Sequence, residues 1–396
     1  MTADVRRILG AQALRAASYG FGAVLLGSSL EARGWTTAEV GFLLTAIVAG
    51  TALMSLVVGT FADRMGRRRL FGLLYVGMAG AGAAFGLSDS LWVLVVAGLT
   101  GTLSPEVVES GPFTSLEQPM LSAELSGEER TRIFGLYNAV ATLVGSLGAL
   151  LAGGPALLRQ LWPGLPPDHR WFLIYVPFGV AGALVALSLS DRVEERTREG
   201  SSGKPLRRSR RRVLGLSGLF ALDSLGGGFV VQSFIAYWFA LRFDTSLEAL
   251  GAIFFGVGLL QAASFLVATR LARRFGLLRT MVFTHLPSNL LLAAIPLAPT
   301  MPLAVIVLFA RFALSQMDVP TRQAYVMALV DPSERSAAAA YTNAARYSVR
   351  PLGPVAAGFA QQIAVGMPFF LAGGIKVVYD LALFLRFRRV PLAEKG

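Results

Sequence analysis

Twelve apolar stretches, most of them about as long as a bilayer is thick, leave this chain few ways to fold. Six are read at Ile8–Leu30, Ala38–Thr60, Leu70–Leu87, Leu91–Glu124, Ile133–Leu158 and Trp171–Ser190. After a polar break six more follow, at Val213–Leu241, Leu247–Ala268, Thr280–Leu297, Pro302–Val330, Ala337–Gln362 and Met367–Phe387. A helix crosses a bilayer with about 20 apolar residues. Only 15% of the 396 residues are charged and the mean hydropathy is +0.59, against about 25% charged in soluble domains. The expected class is an all-α membrane protein with twelve transmembrane helices. The first stretch is no cleavable signal, because it outruns an h-region of about 7–15 residues and carries Arg15 and paired glycines.

The break, Asp191 to Arg212, starts acidic, passes through Gly-Ser-Ser-Gly and ends strongly basic. It reads as a solvated cytoplasmic linker. The expected domains are a six-helix bundle over 1–190, the linker over 191–212 and a second six-helix bundle over 213–396. Of 36 Lys and Arg residues, 26 lie in the termini, the linker and the loops on its side, and only Arg33, Arg159, Arg170 and Arg242 lie opposite. The positive-inside rule then puts both termini in the cytoplasm, in a multi-pass protein of the cytoplasmic membrane. The net charge of +12 reflects that bias rather than a nucleic-acid partner, since no aromatics interleave with the linker's arginines. The chain has no cysteine, which excludes disulfides, thiolate chemistry and Cys-ligated metals.

Gly59 to Leu70, GTFADRMGRRRL, joins the second and third stretches. Its Gly59, Asp63, Arg64, Gly66, Arg67 and Arg68 resemble the loop signature of the major facilitator superfamily. Asp63-Arg64-Met65-Gly66 recurs weakly as Arg273-Arg274-Phe275-Gly276, 210 positions on. At an offset of 205, Gln118 falls on Gln323, Asn138 on Asn343 and Gly148 on Gly353. A six-plus-six parallel repeat is what the resemblance implies. It also implies that the loop is a cytoplasmic latch, with Asp63 near the N-terminus of helix eleven, around Ser336 to Ala338.

Charged groups at membrane depth cost at least about 2.5–3.5 kcal/mol on insertion scales, so those present mark partners or water. In stretch four, Glu106, Glu109, Phe113 and Glu117 fall at i, i+3, i+7 and i+11; in stretch ten, Arg311, Ser315, Asp318 and Arg322 fall at i, i+4, i+7 and i+11. Read as continuous helices, each set is one face. At the 205 offset, Glu106 falls on Arg311 and Glu117 on Arg322, so the repeats carry opposite charges. The resemblance implies that helices one, four, seven and ten line a central cavity, which adds Arg15, Tyr19 and Asp223 to a substrate site of Glu106, Glu109, Phe113, Arg311 and Asp318. Pro105, Pro112 and Pro119 kink stretch four, and Ser104–Pro112 is the expected centre of the site.

Glu106, Glu109 and Asp223 are the expected proton carriers, with Arg311 or Arg322 as counter-charge. Glu117, Arg322, Arg346 and Arg350 join the loop residues as gating groups. Arg346 and Arg350 answer Asp318, bind an anionic substrate or pair with carbonyls freed by the nearby prolines. Lys376 and Asp380 are expected to pair with each other, and His285 to be a satisfied polar group rather than a proton relay. Glu106-x-x-Glu109 suits a divalent metal poorly, with no His or second acidic pair beside it, so no metal is expected.

The expected activity is secondary transport of a small organic solute by alternating access. Bulky apolar lining (Phe113, Tyr19, Tyr237, Trp238) with acids favours proton-coupled efflux of amphipathic compounds; the arginines favour an organic anion, and a lipid flippase would share the fold. An enzyme is not expected, since His-Glu-x-x-His, Gly-x-Ser-x-Gly and cysteine are lacking. No nucleotide-binding loop is present, so no cofactor is expected and a proton gradient is the expected driving force. The expected partners are the small-molecule substrate and the lipid bilayer, with the protein acting as a monomer.

Overall fold

Two glycines, 210 positions apart, stop helices at matching points of the two halves. Gly66 holds φ at 87° and Gly276 at 84°, a region that L side chains avoid and glycine enters freely. The computed structural model describes residues 1–106, 111–123, 127–166, 168–194, 209–330 and 334–390. The first half holds α1 (Ala3–Ala32), α2 (Thr37–Met65), α3 (Arg67–Leu87), α4 (Leu91–Leu99), α5 (Pro112–Ala123), α6 (Gly127–Leu151), α7 (Gly154–Leu161) and α8 (Tyr175–Ser188). The second holds α9 (Arg210–Phe229), α10 (Gln232–Phe243), α11 (Leu247–Phe275), α12 (Leu277–Ala294), α13 (Met301–Ser315), α14 (Asp318–Leu329), α15 (Arg335–Val349), α16 (Leu352–Ile363) and α17 (Met367–Phe387). Among the described residues, nine helical segments are long and apolar enough to cross a membrane. The remaining stretches of the sequence reading are one, four and eleven, which carry Arg15, an unwound segment and Arg346 with Arg350.

In four of the expected helices the break lies four residues before a proline; stretch seven also parts, at Val230 and Val231, without one. A proline ring clashes with the carbonyl of residue i−4 and offers no N–H to it. Pro105 thus meets the break at Gly101, Pro155 the end of α6 at Leu151, Pro320 the break at Gln316, and Pro354 the break at Arg350. Pro119 and Pro287 stay inside α5 and α12. Stretch four is therefore not one helix. Gly101 adopts φ +67°, the chain is irregular from Thr102 to Pro105 and helix resumes at Pro112. The expected single face of Glu106, Glu109, Phe113 and Glu117 is lost. Glu106 lies in the irregular segment, Glu109 lies outside the described residues, and only Phe113 and Glu117 share a face of α5.

The chain forms two compact units, Met1–Thr197 with Val231–Gly258, and Arg198–Val230 with Leu259–Gly396. This differs from the expected split, since α10 and the start of α11 belong to the first unit. In that unit α1 runs so close to α6 that a Cβ on Gly20 would overlap the Gly145 carbonyl and one on Gly148 the Ala17 carbonyl. Gly27 meets Ala236 of α10 in the same way. Phe71, Tyr75 and Phe113 form an edge-on aromatic core, with centroids 4.8–6.2 Å apart. In the second unit Phe220, Met281, Tyr325, Tyr379 and Leu383 centre the core, and Gly228 packs against the Gly353 backbone. Outer faces stay apolar, as at Leu56, Val76, Leu290 and Ile306, which suits lipid rather than water.

Candidate functional site

Each unit closes its interior around a buried ion pair. In the first, α1 carries Arg15 and α5 carries Glu117, 6% and 0% exposed. Arg15 Nη2 donates to Glu117 Oε2 at 2.6 Å and to the Tyr137 hydroxyl at 3.2 Å. The Tyr137 hydroxyl in turn donates to the same carboxylate oxygen. The guanidinium lies 5.0 Å from the Phe113 ring and 5.6 Å from the Tyr19 ring. Among the described residues, Arg15 Nε and Glu117 Oε1 have no hydrogen-bond partner. A charge-assisted pair wrapped in aromatic faces holds α1 against α5.

The second unit's set is larger. Asp223 on α9 receives Lys376 Nζ of α17 at 2.5 Å and Arg322 Nη1 of α14 at 3.4 Å. Arg322 also grips Asp318 one turn back on α14, at 2.8 Å. His285 on α12 stands with Nε2 3.7 Å from Asp223 Oδ1 and Nδ1 2.9 Å from Asp380 Oδ1. Asn289 donates to Asp380 Oδ2 at 2.8 Å. Asp223, Asp318, Arg322, His285, Asn289, Lys376 and Asp380 are each at most 8% exposed.

The expected pairing of Lys376 with Asp380 is thus corrected. They sit one turn apart on α17, but α9 brings Asp223 closer to the ammonium, and α12 supplies the partners of Asp380. His285 is a satisfied polar group, with Asp380 and Asn289 at Nδ1 and Asp223 at 3.7 Å from Nε2. Glu117 and Arg322, the matched pair at the 205 offset, answer Arg15 on the first helix of one unit and Asp223 on the first helix of the other. The two units carry the same kind of link with its charges exchanged.

The remaining expected site residues are dispersed. Ser104 donates its hydroxyl to the Glu106 carbonyl at 2.8 Å and accepts the Glu106 N–H at 3.1 Å. Carbonyls freed by the unwound segment are met by hydroxyls, Thr102 O by Tyr19 at 3.0 Å and Leu103 O by Thr51 at 3.4 Å. Ser233 meets the Pro105 carbonyl with both its N–H and its hydroxyl, each at 3.1 Å. Tyr237 and Trp238 are buried on α10 at 3% and 1% exposure. Arg311 stacks over Phe312 at 4.3 Å. Arg346 and Arg350 are half-buried at the end of α15, and the Arg346 carbonyl accepts the Ser224 hydroxyl at 2.9 Å.

In the expected latch loop, Gly59 and Arg64 are exposed, while the Asp63 and Ser336 side chains lie outside the described residues. The backbone N–H groups of Arg67 and Arg68, at the start of α3, donate to the Glu194 carboxylate at 2.7 and 2.9 Å. An anion at a helix N-terminus meets unpaired donors and the positive end of the dipole. Arg68 also holds the Leu189 carbonyl at 2.8 Å and Asp191 at 3.0 Å.

Sequence reasoning picked out Arg15, Phe113, Glu117, Asp223, Asp318 and Arg322 and missed Tyr137, Asn289 and the roles of His285, Lys376 and Asp380. The usable signal was the pair of i, i+4 polar couples, His285/Asn289 and Lys376/Asp380, in otherwise apolar stretches.

The family model described as the Major Facilitator Superfamily matches residues 8–354. An uncharacterized membrane protein of Saccharomyces cerevisiae is 26% identical over 99% of this chain and 96% of its own length. Among solved structures, the nucleoside transporter NupG superimposes with a TM-score of 0.75 at 13% identity, covering 98% of this chain and all of NupG. A D-xylose-proton symporter superimposes with a TM-score of 0.71 at 13% identity, covering 99% of both chains.

Proposed function

The chain belongs to the Major Facilitator Superfamily, and on that premise we propose that it moves a small organic solute across the cytoplasmic membrane by alternating access, driven by protons. The observation that carries the reading is Asp223. It is a carboxylate buried at membrane depth between an ammonium at 2.5 Å and a guanidinium at 3.4 Å. A buried acid held by opposite charges stays ionised, and loses that preference when a conformational change draws the charges away. Protonation and conformation are then one equilibrium, which is what coupling requires. The cargo we assign is an amphipathic compound and the direction is export. The name of the D-xylose-proton symporter agrees with proton drive in a protein of this fold.

A second reading, an organic-anion cargo, is favoured by Arg346, whose buried Nε has no hydrogen-bond partner among the described residues. It differs in cargo and shares the proton step. Purified protein in liposomes under an imposed pH gradient tests both. Asp223→Asn is expected to abolish gradient-driven movement of solute while leaving exchange between equal pools in place. Full gradient-driven transport by folded Asp223→Asn, or wild-type transport indifferent to collapse of the gradient, removes proton coupling through this residue. A cationic dye set against an aromatic carboxylate separates the two cargo classes.

A further inference from the structure

Proton-coupled carriage leaves one buried titratable group without a task. We propose that His285 is a second proton-binding residue beside Asp223, and that its charge sets how firmly Asp223 holds Lys376 and Arg322; this rests on the proton-driven reading above.

The imidazole sits on α12 with both ring nitrogens facing acids from other helices. Nε2 faces Asp223 of α9 and Nδ1 faces Asp380 of α17. Asn289 Nδ2 also lies 3.0 Å from Nδ1 while donating to Asp380. One nitrogen cannot serve both neighbours at once. If Nδ1 carries a proton it donates to Asp380, and Asn289 keeps only its bond to that carboxylate. If Nδ1 is bare it accepts from Asn289, and the proton sits on Nε2 towards Asp223. With a proton on each nitrogen the ring becomes an imidazolium that binds both acids. Nδ1 therefore has a hydrogen-bond partner whether or not it carries a proton, while Nε2 stands within ion-pair range of Asp223 at 3.7 Å.

Charge counting shows what the extra proton does. Three carboxylates, Asp223, Asp318 and Asp380, share the cluster with two cations, Lys376 and Arg322, which contact Asp223 and Asp318. A proton on His285 fills the deficit, adding one positive charge from solvent and returning it on release. Arg346 of α15 lies nearby, its carbonyl accepting the Ser224 hydroxyl of α9 at 2.9 Å. The other ionisable groups around the ring are Tyr379 of α17, whose ring lies edge-on at 5.8 Å, and Arg311 of α13, whose carbonyl accepts the Ser288 hydroxyl at 3.2 Å. Charging His285 gives Asp223 a third cation, on the α12 side, and loosens its hold on Lys376 of α17 and Arg322 of α14. Discharging it restores that hold. A proton on α12 is converted into the grip of α9 on α14 and α17.

The chain has two histidines, and His169 lies in the short turn before α8. His169→Gln therefore leaves a single imidazole, readable by ring 15N chemical shifts in lipid nanodiscs. We expect that ring to pass from neutral to imidazolium within the pH range over which transport varies, and Asp380→Asn to move its midpoint. In liposomes His285→Gln is expected to transport with a weaker dependence on pH than the wild type. A ring that keeps one charge state over that range overturns the proposal, even where wild-type transport proves proton-driven. If instead the ring titrates but wild-type transport ignores the gradient, the proton site stands and the coupling reading fails.

Discussion

Arg15 and Glu117 meet where neither can be hydrated, so each is tolerable only because of the other. A buried pair adds little net stability over apolar side chains, but removing one partner strands a charge and costs about 3–5 kcal/mol. Arg15→Met alone and Glu117→Met alone should each lower the unfolding temperature in detergent markedly, and the double variant should recover much of the loss. A double variant no more stable than the singles would show that the link is not an isolated pair. This level was the most legible in the sequence, because a charged residue in an apolar stretch announces its own cost. Legibility ended with partner choice. Lys376 and Asp380 are one turn apart, which suggests a pair, yet the nearer counter-charge comes from α9, and no spacing along α17 encodes that. Tyr137 was invisible because a tyrosine in an apolar stretch reads as packing until its hydroxyl is seen on Glu117.

Four helices in this fold break ahead of prolines, and at the break in stretch four the freed carbonyls are met by side chains. Pro105 was legible as a kink, but the length of the unwound segment was not. It depends on Tyr19, Thr51 and Ser233, three hydroxyls from three other helices that receive the freed carbonyls. In lipid a carbonyl with no partner costs several kcal/mol, so these hydroxyls determine how far helix four can open. Tyr19→Phe removes a donor to Thr102 O in the irregular segment, and the expected loss is about 1–3 kcal/mol. Tyr75→Phe removes a donor to Ala11 O at 2.7 Å, a carbonyl inside α1 that its own helix already satisfies, and should cost less. Equal losses in thermal unfolding would sink this account of the break. The reading of Glu106, Glu109, Phe113 and Glu117 as one stripe failed for the same reason, since a helical face exists only where the helix is continuous.

At the scale of the whole molecule, class and repeat were legible while the grouping of helices was not. Hydropathy and the loop signature led to a helical facilitator, and the matched glycines Gly66 and Gly276 both adopt the positive φ that the repeat implies. That α10 joins the first unit follows from close backbone contact at Gly27 and from Ser233 on the Ala23 carbonyl at 2.9 Å, which no periodicity displays. Orientation remains a prediction from charge, and the absence of cysteine makes it easy to test. Single cysteines at Arg69 or Arg388 should react with an impermeant maleimide only from the cytoplasmic face, and those at Arg170 or Arg242 only from the other. The reverse pattern would invert the topology. The first unit's ion pair also has a consequence for how the chain is made. Arg15 precedes Glu117 by 102 residues, and synthesis runs at about 5–20 residues per second. For about 5–20 s, then, the ribosome has delivered the cation but not its carboxylate. Helix one must wait in the insertion channel or at a wet interface until α5 arrives, so the membrane receives the first bundle as an ensemble rather than span by span.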